Sequence, residues 1–177
     1  MPPLHTRRLA LQPFSPADAD EAFAALTPAL TRYMAFDPPP SAQAFECIWR
    51  AWIRRIDEGS EATFVVRERQ TGDFIGIAAV HDAQAREPEL GIWISEREHG
   101  KGYGREAVAA AMQWCALQFS SVAFSYPVAV ENLPSRRTAE ALGGQVVATE
   151  QTAKFTQVVY RLPAERGSDP FSSGKGI

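Results

Sequence analysis

A glycine-rich loop between an apolar strand and a long helix constrains this chain more than any other feature. The stretch runs from Glu89 to Phe119 and reads ELGIWISEREHGKGYGREAVAAAMQWCALQF. Its first part, Glu89 to Ile94, carries an apolar run that predicts a short strand buried on both faces. Its last part, Arg105 to Phe119, carries apolar residues at the helical period. The order strand, glycine loop, helix aims free backbone N–H groups at one point in space.

The loop itself, His99 to Gly104, has the chemistry of an anion-binding site. Gly100, Gly102 and Gly104 occupy alternate positions, and glycine lets the backbone approach a ligand without a Cβ in the way. The first turn of the following helix has N–H groups without partners, and the helix dipole adds partial positive charge there. We therefore predict that this loop binds a phosphate group.

Two common phosphate-binding motifs do not fit the loop sequence HGKGYG. A P-loop requires G-x-x-x-x-G-K-[ST], which the loop does not match. The dinucleotide fingerprint G-x-G-x-x-G matches Gly100 and Gly102 but places its last glycine at Arg105. The pattern [Q/R]-x-x-G-x-[G/A] after a strand does fit, with His99 standing in its first position. This pattern resembles motif A of the GNAT superfamily of N-acetyltransferases, which cradles the pyrophosphate of acetyl-CoA.

A second stretch, Val130 to Gly144 (VENLPSRRTAEALGG), resembles motif B of the same superfamily. The form E-N-x-x-S-R-R is typical of the branch that includes ribosomal-protein N-terminal acetyltransferases. The resemblance implies that Asn132 contacts the pantetheine arm, that Ser135 lies near the sulfur and that Arg137 reaches a CoA phosphate. Structural roles stay open as well, because Asn132 can hold a turn and Ser135 can be a helix N-cap.

The two resemblances together imply that acetyl-CoA is the cosubstrate. The implied cofactor-binding residues are Ile92, Trp93, Ile94, His99, Gly100, Lys101, Gly102, Tyr103, Gly104, Arg105, Asn132 and Arg137. No metal is implied, because the two cysteines and three histidines are not clustered at ligand spacings.

Two positions depart from the pattern of the superfamily. Many relatives carry a tyrosine seven residues after the asparagine, where it acts as general acid, and this chain has Ala139 there. The ending Leu-Gly-Phe is replaced by Leu142, Gly143 and Gly144. The first departure moves the acid role to Ser135 or to water, and the second removes an aromatic residue from the floor of the acceptor pocket.

The implied reaction needs a base, because a protonated amine has no lone pair with which to attack a thioester. Glu89 is the first candidate, since partial burial at the start of an apolar strand raises the pKa of a carboxyl. His81 is the alternative, since the unperturbed pKa of histidine is near neutrality, and Glu87 is a weaker candidate. Glu89 can also be a solvated charge at a strand end, and His81 a structural residue. A backbone N–H on the strand from Glu89 is expected to stabilise the oxyanion.

Periodicity and turn residues predict the remaining elements. Further strands are predicted at Arg8–Phe14, Glu61–Arg69, Phe74–His81, Val122–Val130, Gln145–Glu150 and Gln157–Leu162. Further helices are predicted from Pro16 to between Leu26 and Tyr33, from Ala42 to Glu58, and from Ser135 to Leu142. This order is that of the GNAT fold, an α+β (three-layer α/β) architecture. It implies a mixed central sheet of about six or seven strands, splayed at the acetyl-CoA site, with flanking helices. We expect one domain at 1–163 and a flexible tail at 164–177.

Composition limits the possible partners and compartments. The net charge is −3, which gives no electrostatic argument for nucleic acid. No apolar run has the length of a membrane helix, and the N-terminus lacks the apolar core of a signal peptide. Cys47 and Cys115 both fall in helical apolar patterns, which favours core thiols in a reducing, cytoplasmic setting.

The function implied is acetyl transfer from acetyl-CoA to a primary amine, either a protein N-terminus or a small molecule. By analogy to the fold, the acceptor site is expected between Tyr33, Met34, Phe36 and Asp37 on one side and Gln151 to Thr156 on the other. The expected partner is the amine acceptor, and a homodimer stays open. One alternative is a CoA-binding module without catalysis. The other is an unrelated nucleotide-binding protein, and the positions of the glycines argue against this second alternative because they do not match the dinucleotide fingerprint.

Overall fold

The computed structural model describes residues 1–164, which form an eight-stranded sheet with helices on both faces. The strands are β1 (Leu4–His5), β2 (Leu9–Pro13), β3 (Ala62–Glu68), β4 (Phe74–His81), β5 (Glu89–Ile94), β6 (Ala123–Ala129), β7 (Gln145–Gln151) and β8 (Thr156–Pro163). The helices are α1 (Ala19–Ala25), α2 (Pro28–Thr31), α3 (Ala42–Glu58), α4 (Tyr103–Phe119) and α5 (Leu133–Ala141). The spatial order is β1-β2-β3-β4-β5-β6-β8-β7. The predicted GNAT fold with a mixed sheet is therefore confirmed.

The two faces of the sheet bury two separate apolar clusters. Along β3, Phe64 and Val66 belong to the cluster that includes α4 and α5 residues, whereas Val65 belongs to the cluster of α1 and α3. Successive strand residues point to opposite faces, so α4 and α5 cover one face and α1 and α3 the other. We call these the α4/α5 face and the α1/α3 face.

The sheet splays between β5 and β6, the one parallel pair in the described sheet. These strands share a single paired position, Glu89 with Ser125. On its other edge β5 pairs with β4 along its whole length. The backbone of β5 beyond Glu89 therefore has no strand partner on the β6 side within residues 1–164. This gap confirms the predicted splay.

Both predicted ends of helix α3 are confirmed. Helix α3 begins after Ser41, whose side chain accepts a hydrogen bond from the Ala44 N–H at 3.1 Å. It ends at Gly59, which has a left-handed φ of 69°. Glycine adopts this conformation without a Cβ penalty. Local chemistry alone determines both ends of this helix.

Other predictions were wrong in detail. The sheet has eight strands because Leu4–His5 adds an edge strand to β2. The first helix is divided, since Thr27 caps a new helix that begins at Pro28. Cys47 is exposed on α3 and only Cys115 is buried.

Strand β5 is also less buried than predicted. Glu89 is exposed, Leu90 is buried, and the residues from Gly91 to Ile94 are only half-buried. The open side toward β6 explains this exposure.

The predicted tail falls almost entirely on residues 165–177, which lie outside the described residues. Ala164 is described, and its N–H donates to the Val122 carbonyl at 3.4 Å.

Candidate active site

A cavity of about 650 Å³ opens at the splay between β5 and β6. The predicted site residues along its wall are Ile92, Trp93, Ile94, His99, Gly100, Gly102, Tyr103, Gly104, Arg105, Asn132, Ser135 and Arg137. Residues near α2 contribute Ala29, Leu30, Tyr33 and Met34. The fold thus brings the two sequence motifs, which lie about thirty residues apart, to one cavity. Of the predicted cofactor-binding residues, Lys101 alone is not on the wall.

The glycine loop has the backbone conformation that its sequence requires. Gly100 and Gly102 have φ angles of 76° and 79°. A side chain at either position is strained, because L-residues other than glycine rarely adopt this region. Gly102 is the N-cap of α4, so its conformation turns the chain into the helix, whose first residues Tyr103, Gly104 and Arg105 line the cavity.

Arg8, on the segment before β2, holds this loop from outside. Its side chain donates to both the Glu106 carboxylate, at 2.7 Å, and the Lys101 carbonyl, at 2.9 Å. Its guanidinium also lies 4.6 Å from the ring centre of Tyr103. Burial acts to raise the pKa of Glu106, but hydrogen bonds from Thr6 and Arg8 outweigh it and the pKa is lowered. Glu106 is therefore a stable anchor for Arg8 at the start of α4.

His99 and Lys101 have side chains engaged within the protein. The His99 ring nitrogen Nε2 lies 2.7 Å from the Ile94 carbonyl, which ties the loop to the end of β5. The Lys101 ammonium donates to Glu98 at 2.8 Å. In this arrangement the cationic side chains on the cavity wall are Arg105 and Arg137.

Helix α5 begins differently from the prediction. Asn132, not Ser135, is its N-cap, and the Asn132 side chain accepts from the Ser135 N–H at 3.3 Å. The Ser135 hydroxyl instead lies 2.7 Å from the hydroxyl of Tyr126 on β6. The reason is local, because the helix begins at Leu133 and Asn132 is the side chain placed to accept from an N–H of its first turn, whereas Ser135 already lies within that turn. Ser135 is left with its hydroxyl at the cavity.

The two departures from the family pattern do not touch the cavity wall. Ala139 is fully buried in the core cluster on the α4/α5 face. A side chain at Gly144 has no room, since its Cβ would lie 2.8 Å from the Ala139 carbonyl oxygen and 3.2 Å from Leu162. Leu162 fills the space beside Gly144, so an aromatic residue there is sterically excluded.

The candidate bases lie beyond the cavity wall on the α1/α3 face. Glu89 and Trp93 share this face, because they are separated by an even number of strand positions and Trp93 packs on the α1/α3 cluster. His81 pairs directly with Glu89 across the sheet. Between Glu89 and Trp93 lies Gly91, where a Cβ would be 3.2 Å from the His81 ring nitrogen Nε2, so the His81 ring packs closely over this glycine. The two candidate bases are therefore neighbours on this face.

Electrostatics separate the two candidate bases. Desolvation raises the pKa of Glu89, although the residue as a whole is exposed. His81 Nδ1 lies 3.1 Å from the buried Glu61 carboxylate, and its hydrogen bond with Glu61 raises the pKa of His81. A raised pKa favours the protonated imidazole, which cannot accept a proton. This argument favours Glu89, while Glu87 is paired with Arg161 at 2.8 Å.

Lys154 joins the two predicted walls of the acceptor site. From the turn between β7 and β8, its ammonium donates to the Thr31 carbonyl at 3.2 Å, the Phe36 carbonyl at 3.1 Å and the Asp37 carboxylate at 2.7 Å. The three donors of an ammonium group are thus matched by three acceptors. The contact fastens the hairpin tip to the segment that follows α2, whose residues Tyr33 and Met34 line the cavity.

Replacement of Lys154 by alanine is expected to loosen this wall without affecting the glycine loop. Loss of charge-assisted hydrogen bonds worth about 1.5 kcal/mol corresponds to roughly tenfold faster local opening. Amide hydrogen exchange should therefore accelerate about tenfold in residues 31–37 and 152–156 and nowhere else. Arg50→Ala removes an exposed cation of α3, paired with Glu46, and is the control that should leave these amides unchanged. Equal exchange rates in Lys154→Ala and the parent protein would contradict the fastening role.

Two residues at the site, Arg8 and Tyr126, lie outside every predicted site segment. Lys154 lies within the predicted segment Gln151 to Thr156, but its role was not predicted. Each of the three acts on a segment distant in the chain. Tyr126 offered the one usable signal, because a tyrosine on a buried strand requires a partner for its hydroxyl.

Two features, a metal-binding cluster and a membrane-spanning helix, were sought in the part of the chain that the structure describes. Residues 1–164 contain no group of three or more His, Cys, Asp and Glu side chains that could hold a metal ion. Over the same range no helix combines the length and apolar character needed to cross a bilayer.

Comparisons with solved structures support the fold. A Vibrio cholerae spermidine N-acetyltransferase in complex with CoA and spermine matches with a TM-score of 0.74 and 21% identity, over 89% of this chain and 95% of that one. Mycobacterium smegmatis RimJ in complex with CoA-disulfide matches with a TM-score of 0.79 and 18% identity, over 92% and 86%. RimL, a ribosomal L7/L12 α-N-protein acetyltransferase in complex with CoA, matches with a TM-score of 0.80 and 12% identity, over 92% and 98%.

The sequence comparisons identify the family. No curated protein sequence matches the chain significantly. The sequence model of the family described as "Acetyltransferase (GNAT) domain" matches residues 8–145, a range that contains the glycine loop and the whole of α5. Because this match covers most of the chain, the protein belongs to the GNAT acetyltransferase family and is an acyltransferase.

Proposed function

We propose that this protein transfers the acetyl group of acetyl-CoA to a primary amine, either a protein N-terminus or a small-molecule amine. The observation that carries the proposal is that one cavity at the splay is lined by residues from both faces of the sheet. They include the glycine loop and the start of α5, together with Trp93 and Met34, which pack on the α1/α3 face. A site at the splay would let two substrates approach from opposite faces and meet there.

The residues present fit the phosphates of acetyl-CoA. A Cβ at Gly100 would meet no atom within 4 Å, and the nearest atom to one at Gly102 is the Arg8 guanidinium at 3.6 Å. The loop backbone is thus open to a ligand, and the N-terminus of α4 offers unpaired N–H groups. Arg105 and Arg137 would add charge and bidentate donors for phosphate.

The site also supplies the groups that acyl transfer needs. Glu89 accepts the proton of the incoming ammonium group, directly or through water, on the α1/α3 face. A backbone N–H of β5 facing the splay donates to the thioester carbonyl oxygen as it gains negative charge. Ser135, on the opposite face, donates to the departing sulfur. Base and acid therefore stand on opposite sides of the sheet, which matches the direction of proton flow from amine to thiol.

The acceptor site favours a cationic group. Desolvation raises the pKa of Glu89, the charge of His81 acts to lower it, and the smaller effects of the Asp82 and Glu150 charges act to raise it. Glu89, Asp82 and Glu150 therefore place three carboxylates close together. Carboxylates at this mouth attract ammonium groups, which amines carry at neutral pH. Two of the similar structures are a ribosomal L7/L12 α-N-protein acetyltransferase and a spermidine N-acetyltransferase. They support a protein N-terminus and a small amine as candidate acceptors.

The test is release of free CoA thiol in the presence of a panel of amines. Peptides with free N-termini, the same peptides with blocked N-termini, spermidine and free lysine separate the acceptor classes. Thiol release with free but not with blocked peptides would assign a protein N-terminus, and release with spermidine a small amine. Binding of CoA without thiol release from any amine would contradict the proposal in favour of a module without catalysis.

Ser135→Ala is expected to lower turnover about tenfold, because it removes one hydrogen bond to the departing sulfur worth roughly 1.4 kcal/mol. Acetyl-CoA affinity should change little, since the loop and the arginines remain. The variant also leaves the buried Tyr126 hydroxyl without its partner, so stability should fall by about 1–3 kcal/mol. Turnover must therefore be measured per folded molecule, with the folded fraction taken from denaturant melts. Undiminished turnover after that correction would exclude Ser135 as a donor.

A further inference from the structure

The hydroxyls of Tyr126 and Ser135 form a pair at the wall of the cavity. Tyr126 is 2% exposed on the α4/α5 face of β6, and its hydroxyl lies 2.7 Å from Ser135 Oγ. Both residues line the cavity. Within residues 1–164 this is the only hydrogen bond of the Tyr126 hydroxyl, so the two side chains fix each other across a strand and a helix.

The chemistry of the two groups sets the direction of this hydrogen bond. A phenol is a stronger acid than an aliphatic alcohol and is therefore the better donor. Desolvation raises the pKa of Tyr126 to about 12, so the phenol keeps its proton at any working pH. Ser135 is half-buried and its hydroxyl hydrogen can rotate. When Tyr126 donates to Ser135 Oγ, the Ser135 hydrogen is directed away from Tyr126.

We propose that Tyr126 is a positioning residue, whose phenol holds Ser135 Oγ so that the Ser135 O–H points into the cavity toward the CoA sulfur. This inference rests on the proposed function for the identity of its substrate.

The chemical step balances without ionisation of Tyr126. The amine nitrogen forms a bond to the acetyl carbon, the C–S bond breaks, and its electron pair goes to sulfur. Ser135 stabilises that charge by a hydrogen bond, and the proton lost by the amine finally neutralises the thiolate through Glu89 and solvent. Tyr126 acts through Ser135 and does not itself touch the substrate.

Titration of bound CoA tests this role without any turnover. The thiol of CoA in its complex with the protein is titrated by the ultraviolet absorbance of the thiolate. Hydrogen bonds to the charged form lower a pKa, so bound CoA should have a lower thiol pKa than free CoA. In Tyr126→Phe this pKa should rise by about one pH unit, a tenfold change in the thiolate ratio, and in Ser135→Ala it should rise at least as far.

Tyr160→Phe is the matched control. Tyr160 is an equally buried tyrosine on β8 whose hydroxyl bonds Arg136 and Glu140, away from the cavity wall. Its replacement should leave the bound thiol pKa as in the parent protein.

A double variant measures the coupling between the two hydroxyls. Because Tyr126 acts only through Ser135, the double variant should have the same bound thiol pKa as Ser135→Ala alone. An unchanged pKa in Tyr126→Phe, or independent effects that add in the double variant, would overturn the positioning role. If the titrations behave as expected and no amine is acetylated, the positioning role stands and the proposed function falls. If CoA does not bind, both are wrong.

Discussion

Gly102→Val is expected to weaken acetyl-CoA binding by about 100-fold or more, equivalent to roughly 2.7 kcal/mol. Gly102 has a φ of 79° and caps the first turn of α4. A β-branched residue is strained there and shifts the loop out of the conformation that presents its N–H groups. Calorimetric titration of the folded variant with acetyl-CoA gives the affinity directly.

Gly72→Val is the matched control for backbone strain. Gly72 also has a φ of 79°, and a Cβ there would meet nothing within 4 Å. It lies in the turn between β3 and β4, outside the cavity wall. The two variants should lose similar stability, about 1–3 kcal/mol, whereas only Gly102→Val should lose acetyl-CoA affinity. Gly102→Ala is a milder variant for use if the valine protein does not fold. Normal affinity in either folded Gly102 variant, or equal losses at Gly72, would refute the role of the loop.

Glu89→Gln is expected to keep acetyl-CoA affinity and to lose about 10²–10⁴-fold in turnover at neutral pH, the usual value of a positioned general base. The amide is similar in size to the carboxyl but cannot take up the proton of the ammonium group. Much of the loss should return at high pH, where more of the acceptor amine is already neutral.

The fall in turnover at low pH gives a second test of Glu89 as the base. Because the pKa of Glu89 is raised by desolvation, the parent enzyme should lose its base at a higher pH than an ordinary carboxyl would. Below that pKa the carboxyl is protonated and cannot accept a proton. The limb attributable to Glu89 should be absent in Glu89→Gln. The measurement is a pair of pH–rate profiles, once an acceptor is known.

His81→Asn distinguishes the alternative base and should have the smaller effect. The hydrogen bond with Glu61 raises the pKa of His81 and so favours the protonated imidazole, which cannot accept a proton. Full turnover in Glu89→Gln at neutral pH, with chemistry shown to be rate-limiting, would exclude Glu89 and leave His81 or bound water as the base.

Much of the fold was predictable because local chemistry determines it. Ser41 and Gly59 mark the ends of α3 through hydrogen bonds and a backbone conformation that involve only nearby residues. The alternation of apolar residues determines which side of each strand is buried, but not what covers it. The short edge strand at Leu4–His5 was missed because two residues carry no periodicity.

The glycine loop was predictable for the same reason, since its conformation depends on its own residues and on the helix that follows. The two motifs also indicated that Asn132, Ser135 and Arg137 belong to one site, and the structure places them on one cavity wall. The exact role of Ser135 was not accessible, because a serine near a helix start fits both a cap and a free hydroxyl. Only the neighbouring Asn132 decided between them.

The sequence by itself therefore determined the elements, the conformation of the glycine loop and the residue types available for the proposed chemistry. The tertiary structure alone decided which groups are in contact: Tyr126 with Ser135, Arg8 with the glycine loop, and Lys154 with the segment after α2. It also placed Glu89 on the face of the sheet opposite Ser135. Arg8 and Lys101 are 93 positions apart, and Lys154 and Thr31 are 123 positions apart. Contacts over such separations leave no local pattern, because they depend on how the sheet stacks its strands and where it splays.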